Sequence, residues 1–285
     1  MKNEAIRDYI VMNGEIIANG ETNVFEDINK PPIYEVIRVI KGIPLFLEEH
    51  LERMRKSSAI VGYTIYRTDD EIKEDIKKLI NKNNVKNLNI KLLCTEIQGR
   101  GQVFLAYFIK SYYPEPRVYM EGIHTILYHF ERENPNAKIL NVSFKEDVNR
   151  KIEENNAFEA LLVNKDGYIT EGSRSNIFFV KDEVLYTAPK GDVLLGVTRN
   201  HIMEVCKKLG LKVIEENIHI EDLSKIKGAF MTGTSVNVLP IRSIDEKKYD
   251  SVDNEIIKAV SNGYLKEMEE YLEINSQKYV ANKEN

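Results

Sequence analysis

A short stretch past the middle of the sequence, residues 168–179, constrains the fold more than any other. Its letters, YITEGSRSNIFF, predict two strands joined by a tight turn of small and polar residues. Strands rich in Ile and Phe are buried, so Glu171 ends the first strand at the edge of a hydrophobic core, where a lone carboxylate is costly. The surrounding sequence offers no neat salt bridge for it. We therefore expect a ligand with a protonatable nitrogen to pair with this carboxylate.

Length and charge exclude several classes of protein. The 285 residues carry 40 Lys and Arg against 45 Asp and Glu, which argues against a nucleic-acid partner because such binders usually present a basic face. No apolar run approaches the roughly 18 residues that span a bilayer, so we expect no membrane segment. The two distant cysteines, Cys94 and Cys206, and the scattered histidines argue against a metal site. Free thiols favour a reducing cytoplasm.

The sequence predicts two domains of mixed helix and strand. The segment 112–116 contains Pro114 and Pro116, which disfavour any regular element, so we expect a smaller domain at 1–116 and a larger one at 117–285. Hairpins, one of them at Asn13-Gly14, and helices follow one another without regular βαβ alternation, which indicates an α+β fold. The last long helix is predicted from Ser251 to about Leu272.

Two glycine-containing turns are candidate anion sites. In the run 194–199, LLGVTR, Thr198 is a good N-cap and Gly196 lets a ligand approach the backbone, so the helix start would present free N–H groups to a phosphate. The run 232–235, TGTS, ends a predicted strand and offers three hydroxyls at a turn. Each pattern alone is more often an ordinary helix cap or polar turn.

Two cationic side chains have apolar neighbours. Arg53, on a predicted helix, either lies along the surface or reaches inward as a full positive charge for a phosphate. Lys138 stands between Ala137 and Ile139, and a buried lysine has a lowered pKa that makes its amine nucleophilic. A lysine in such a setting is more often at a strand edge with its amine in water.

The order and spacing of these signals carry more information than any one of them. Along the chain run Tyr34-Glu35, Arg53, Lys138-x-x-Asn141, Phe158-Glu159-Ala160-Leu161-Leu162, Thr170-Glu171-Gly172-Ser173-x-Ser175-Asn176, Gly196-Val197-Thr198-Arg199 and Thr232-Gly233-Thr234-Ser235. This pattern resembles the class IV aminotransferase family, the fold-type IV pyridoxal-phosphate enzymes. That family includes branched-chain aminotransferases, D-amino-acid aminotransferases and aminodeoxychorismate lyases, and the resemblance covers nearly the whole chain.

The resemblance implies a two-domain fold like that of D-amino-acid aminotransferase, with pyridoxal 5′-phosphate between the domains and a homodimer as the usual assembly. It implies that Lys138 is the catalytic residue and forms the Schiff base, and that Glu171 pairs with the protonated ring nitrogen. The other cofactor-binding positions that it implies are Arg53, Ser173, Val197, Thr198, Thr234 and Ser235. On the substrate side, the candidates are Tyr34, Arg38 and Arg100.

Departures from the family pattern leave the substrate open. Val36 stands where the lyases typically place a catalytic threonine, and Glu96 stands where the D-amino-acid enzymes carry a clamping arginine. Ser143 stands where branched-chain enzymes favour a tyrosine. We expect an aminotransferase that moves an amino group between a small amino acid, branched-chain or D-, and a 2-oxo acid. The alternatives are an aminodeoxychorismate-lyase-like enzyme that uses the same lysine, and a protein that keeps the fold but binds ligand without turnover.

Overall fold

The computed structural model describes residues 1–280, and the chain forms two compact units. The first unit consists of Met1–Tyr112, Ala137–Leu140 and the described chain from Met268, and the second consists of Tyr113–Asn136 and Asn141–Glu267. The mixture of antiparallel sheet and helices confirms the predicted α+β class. The division into domains at residue 116 stays a prediction.

The first unit is built on one antiparallel sheet. Its elements in chain order are β1 (Tyr9–Met12), β2 (Glu15–Ala18), a 3-10 turn (Asn19–Glu21), α1 (Val24–Asp27), β3 (Ile33–Ile40), β4 (Ile43–Pro44), α2 (Leu47–Ile60), α3 (Asp69–Asn83), β5 (Leu88–Ile97) and β6 (Gly101–Ile109). The strand order is β2-β1-β6-β5-β3-β4. The predicted hairpin turn is present, and Asn13 and Gly14 have φ angles of 49° and 94°, as a two-residue turn requires.

Strand β3 divides its side chains between the two faces of this sheet. Glu35 and Ile37 are buried on the face that carries α2, whereas Tyr34 and Arg38 alternate onto the other face. The buried stripe of α2 has helical spacing and includes Arg53 together with apolar residues. Arg53 therefore points inward, and the alternative of a side chain lying along the surface is wrong.

The second unit is built on a larger mixed sheet. Its elements are α4 (Pro116–Glu121), β7 (Ile123–His129), α5 (Val142–Glu154), β8 (Glu159–Val163), β9 (Tyr168–Gly172), β10 (Asn176–Lys181), β11 (Val184–Thr187), α6 (Val197–Lys208), β12 (Val213–Glu215), β13 (Ile218–His219), a 3-10 turn (Ile220–Lys225), β14 (Gly228–Gly233), β15 (Asn237–Ile244) and β16 (Lys247–Lys248). The strand order is β12-β11-β10-β14-β15-β7-β8-β9-β13, with β16 paired to β15.

The two strands predicted around Glu171 are confirmed as β9 and β10. Strand β9 pairs with β8 and β13, whereas β10 pairs with β11 and β14. The turn between β9 and β10 therefore carries the chain from one part of the sheet to another. Both strands are largely buried, which places the polar residues of this turn at the border of the core.

The last helix, α7 (Glu255–Val280), starts and ends later than the sequence predicted. Ser251 is buried in a turn before the helix, where its hydroxyl donates to the carbonyl of Ile241 in β15. The side-chain oxygen of Asn254 accepts the N–H groups of Ile256 and Ile257, which is the usual arrangement at a helix start. Over the residues described, no helix is long and apolar enough to cross a membrane.

Candidate functional site

The carboxylate of Glu171 is buried at the end of β9 and has partners within the protein. The residue as a whole is 3% exposed. Its Oε2 accepts the N–H of Leu194 at 3.2 Å, and its Oε1 lies 3.0 Å from Nε of Arg132. Arg132 also donates from Nη2 to the carbonyl of Ser173 at 2.9 Å. The sequence around Glu171 offers no salt bridge, but the fold supplies one from Arg132, which lies far upstream in the sequence.

A second buried carboxylate, Glu159, supports the turn after β9. The hydroxyls of Ser173 and Ser175 donate to its two oxygens at 2.5 and 3.0 Å. A Cβ at Gly172 would lie 2.0 Å from Oγ of Ser175, so the turn requires glycine there. The Ser173 hydroxyl thus has a partner in the protein, and its role as a cofactor ligand stays a prediction. Sequence reasoning gave Glu159 no role, although it stands in the FEALL run quoted for the family pattern.

The loop before α6 comes to the same turn. Nδ2 of Asn176 donates to the carbonyl of Leu194 at 2.8 Å, and a Cβ at Gly196 would lie 2.2 Å from Oδ1 of Asn176. Helix α6 begins at Val197 after Gly196, and its start has no side-chain cap. Thr198 is therefore not the N-cap that the sequence predicted but the second residue of the helix. Its N–H belongs to the first turn, where backbone N–H groups have no intrahelical partner.

The end of β14 is the last part of a polar cluster in the second unit. This second-unit cluster consists of the end of β9 with the turn after it, the loop before α6, the first turn of α6 and the end of β14. Thr232 pairs with Asn176 across β10 and β14, and α6 packs against β14. The Thr232 hydroxyl is buried and has no hydrogen-bond partner among the residues described. Leaving a buried hydroxyl unpaired is costly, and a polar ligand would supply its partner. After Gly233 come Thr234 and Ser235, which are half-buried in the turn that leads to β15.

In the first unit, the structure brings Lys138 to Tyr34. The N–H of Tyr34 donates to the carbonyl of Lys138 at 3.1 Å, and the N–H of Lys138 donates to Oγ of Ser57 at 3.1 Å. Nζ of Lys138 lies 4.8 Å from the centre of the Tyr34 ring. Two residues that the family pattern assigned to catalysis and to the substrate side are thus in contact, although they are far apart in the sequence.

Arg53 belongs to a buried network with Glu35 and His50. Its Nε and Nη2 donate to the two oxygens of Glu35 at 2.7 and 2.6 Å, and Nδ1 of His50 lies 2.8 Å from the same carboxylate. Burial alone would raise the pKa of Glu35, but the charge and hydrogen bonds of Arg53, and then those of His50, lower it to about 2. Burial lowers the pKa of His50, against the opposing influence of Glu35. Sequence reasoning missed His50, because no local spacing marks it.

The Glu35 network predicts a pH-dependent stability. Because the pKa of Glu35 is about 2 in the folded chain against 4.5 for a free side chain, the stabilisation is complete above pH 4.5 and is lost as the pH falls toward 2. We expect Glu35→Gln to lower the free energy of unfolding at neutral pH by about 3 kcal/mol, because it leaves Arg53 buried beside a neutral group. In the same variant, this part of the acid dependence should disappear.

Urea denaturation across the acid range and at neutral pH measures both effects. Glu52→Gln is the matched control, because Glu52 lies next to Arg53 on α2 but is exposed in a surface pair with Lys56. If the free energy of unfolding of Glu35→Gln fell with pH in the same way as that of the wild type, the prediction would be contradicted.

The two candidate arginines of the substrate side, Arg38 and Arg100, lie in different parts of the first unit. Arg38 is on the same face of β3 as Tyr34 but about 13 Å further along the strand. Arg100 lies in the β5–β6 turn, where its Nη2 is 3.2 Å from Oδ2 of Asp27 at an open cleft of about 620 Å³. The substrate-binding roles of Arg38 and Arg100 stay predictions.

The chemistry of the second-unit cluster suits a ligand with two different ends. The first-turn N–H groups of α6 and the Thr232 hydroxyl are donors for an anion. The Glu171 carboxylate, nearby through Leu194, suits a protonated nitrogen. In the described chain, no group of three or more His, Cys, Asp or Glu side chains could hold a metal ion.

The chain matches one family model and several relatives that are named as aminotransferases. The family model for amino-transferase class IV matches residues 32–244. A D-alanine aminotransferase of Bacillus licheniformis is 30% identical over 251 residues, which cover 83% of this chain and 88% of that protein. A probable branched-chain-amino-acid aminotransferase of Rickettsia felis is 31% identical over 245 residues, which cover 81% and 84%.

Solved structures agree in fold. The branched-chain amino acid aminotransferase of Escherichia coli superposes with a TM-score of 0.83 at 24% identity, over 92% of this chain and 95% of that chain. The branched-chain aminotransferase of the thermophilic archaeon Thermoproteus uzoniensis, solved with norvaline, gives 0.82 at 23% identity, over 94% and 98%. These likenesses confirm the expected fold type, and the family model covers well over half of the sequence. The chain is therefore an enzyme of the class IV aminotransferase family.

Proposed function

We propose that this enzyme uses pyridoxal phosphate, held covalently by Lys138, to move an amino group between a small amino acid and a 2-oxo acid. The proposal is carried by the cluster of the second unit, where a buried carboxylate and an uncapped helix start reach the same turn. Pyridoxal phosphate has a protonatable ring nitrogen at one end and a phosphate at the other. Glu171 suits the first, and the N–H groups of Val197 and Thr198 suit the second.

Further residues fit the phosphate end. The Thr232 hydroxyl is buried without a partner in the described chain, and the hydroxyls of Thr234 and Ser235 follow it. Arg53 is the cation that we assign to the phosphate, because a guanidinium matches phosphate geometry and stays charged. Glu35 holds that guanidinium with two hydrogen bonds, which fixes its plane.

Pyridoxal phosphate, when bound, supplies an aldehyde that takes up the amino group and a ring that withdraws electrons from Cα of the substrate. Lys138 is the residue that moves the proton. With the cofactor bound and the incoming amine in place, Nζ would take the proton from Cα of the substrate as a base and then give it, as an acid, to the C4′ carbon of the cofactor. The Tyr34 ring beside Nζ restricts where this amine lies. Glu171, fixed by the N–H of Leu194, holds its charge in place without reorganising during the reaction.

For the substrate we propose a small amino acid, branched-chain or of the D series, because relatives with each name are about equally identical to this chain. The lyase alternative has less support. Strand β3 puts Val36 on the same face as Tyr34, and a valine there has no group that moves a proton.

The assembly and location that we propose rest on other grounds. A homodimer follows from the family resemblance. A cytoplasmic location follows from the two cysteines, Cys94 and Cys206, which are buried free thiols. Burial raises the pKa of each to about 12, so both thiols are unreactive.

Two experiments test the proposal. Borohydride reduction of the protein with pyridoxal phosphate, followed by digestion and mass spectrometry, should find the cofactor on the peptide that contains Lys138. A screen of L- and D-alanine, valine and leucine should then yield the matching 2-oxo acids, with one configuration preferred. Trapping on another lysine would overturn the assignment. Pyruvate from an aminochorismate, with no 2-oxo acid from any amino acid, would support the lyase instead.

A further inference from the structure

The first turn of α6 contains a buried cation. Arg199 is the third residue of this helix and is 1% exposed. Its side chain is the largest of the fully buried side chains in the described chain. Its position is electrostatically unfavourable, because a helix start carries partial positive charge and attracts anions. Burying a full charge adds a desolvation cost. The contacts of Arg199 must offset both costs.

Arg199 ties the helix start to two other segments. Its Nη2 donates to the carbonyl of Ala188 at 3.0 Å and to Oε2 of Glu215 at 3.0 Å. Ala188 follows β11 and begins the loop that leads to α6. Glu215 ends β12, which pairs in parallel with β11. The guanidinium therefore fixes the first turn of the helix to the edge of the sheet.

The far end of the same loop is fixed independently by Asn176. Its amide donates to the carbonyl of Leu194, and its Oδ1 occupies the space that a Cβ on Gly196 would need. The loop between Ala188 and Gly196 is thus held at both ends. The direction of the N–H groups in the first turn of α6 follows from these contacts, since no side chain caps them.

We propose that Arg199 is a positioning residue for the phosphate of the cofactor. It acts through the backbone N–H groups of Val197 and Thr198, whose direction it sets, and not through contact with the phosphate. Hydrogen bonds weaken steeply when donor and acceptor are misaligned, so an anion held by several N–H groups is sensitive to the pose of the helix start. The inference rests on the proposed function, in which this turn receives the phosphate.

Two forms of the cofactor separate this role from a merely structural one. Pyridoxal phosphate and pyridoxal differ only in the phosphate, and the Kd of the apoenzyme for each is measured by fluorescence titration. We expect Arg199→Met to raise the Kd for pyridoxal phosphate about tenfold and to leave the Kd for pyridoxal within about twofold. Glu215→Gln weakens the interaction between Arg199 and residue 215. It should therefore also raise the Kd for pyridoxal phosphate, but by a smaller factor.

Lys190→Met is the matched control. Nζ of Lys190 lies 3.8 Å from the other oxygen of Glu215 and its side chain is 68% exposed, so the variant removes a cation from the same carboxylate without touching α6. Both Kd values should stay at the wild-type level. If Arg199→Met does not fold, Glu215→Gln carries the test.

The outcomes for the two proposals are distinct. Equal weakening of both cofactor forms, or an unchanged Kd for pyridoxal phosphate, in the folded Arg199 and Glu215 variants overturns the role of Arg199. A wild-type protein that binds neither form overturns the proposed function instead.

Discussion

Replacing Lys138 by alanine is expected to lower kcat by roughly 10⁴-fold, whereas Lys145→Ala leaves kcat within about twofold. The amine of Lys138 both holds the cofactor and moves the proton at Cα, and alanine can do neither. Lys145 is the matched control, because it is exposed in the first turn of α5, seven positions further along the chain. The measurement is steady-state transamination with the amino acid that the substrate screen selects.

Chemical rescue separates the loss of the amine from damage to the fold. Methylamine is small enough to enter the space that the lysine side chain leaves, and it is a base of similar strength. We expect it to restore part of the rate of Lys138→Ala in proportion to its concentration and to leave the wild type unchanged. An equal loss of kcat in the two lysine variants would reject Lys138 as the reacting lysine.

The parts of the fold that the sequence predicted depend on neighbouring residues. The Asn13-Gly14 turn needs positive φ angles at two adjacent positions, and the residues themselves supply this preference. Strands β9 and β10 were predictable because their buried apolar runs flank a turn of small polar residues. In each case the free energy that selects the structure comes from within about ten residues of chain.

The failed predictions have a different cause, which is competition from a distant partner. Ser251 is a plausible helix start by type, but its hydroxyl bonds to the carbonyl of Ile241 in the sheet. The pairing of Arg132 with Glu171 joins residues that no local pattern connects. Sequence alone predicts that a buried carboxylate needs a partner. It does not say which of the forty Lys and Arg side chains supplies it.

In the candidate site, too, some features depend on neighbouring residues and others on distant partners. Glu171 was found from its own surroundings, but the position of Lys138 beside Tyr34 depends on a contact between distant segments and came from the family pattern. Glu35 and His50 were given no role, because a side chain that orients another leaves no local mark in the sequence. Networks of this kind are visible only when coordinates bring Arg53 to its carboxylate.

Glutamine at position 171 is expected to lower kcat by about 10²- to 10³-fold and to change stability little. The amide has the size of the carboxylate, and its oxygen still accepts the N–H of Leu194, but it cannot hold a positive ring nitrogen by charge. Arg132, which loses its ion pair, keeps some contact with water and its bond to the carbonyl of Ser173. The loss should therefore appear in kcat rather than in the free energy of unfolding.

Glu183→Gln is the control for this last substitution, because Glu183 is exposed in the turn between β10 and β11. Urea denaturation and kcat are measured on both variants with saturating pyridoxal phosphate. A wild-type kcat in Glu171→Gln with the cofactor bound would mean that the carboxylate does not act on the ring nitrogen. Its burial beside Arg132 and Leu194 would then serve only to hold the turn after β9. Glu171→Gln and Glu183→Gln each remove one negative charge, but from different places. If only Glu171→Gln lowers kcat and the free energy of unfolding stays unchanged, the charge of Glu171 acts in the reaction.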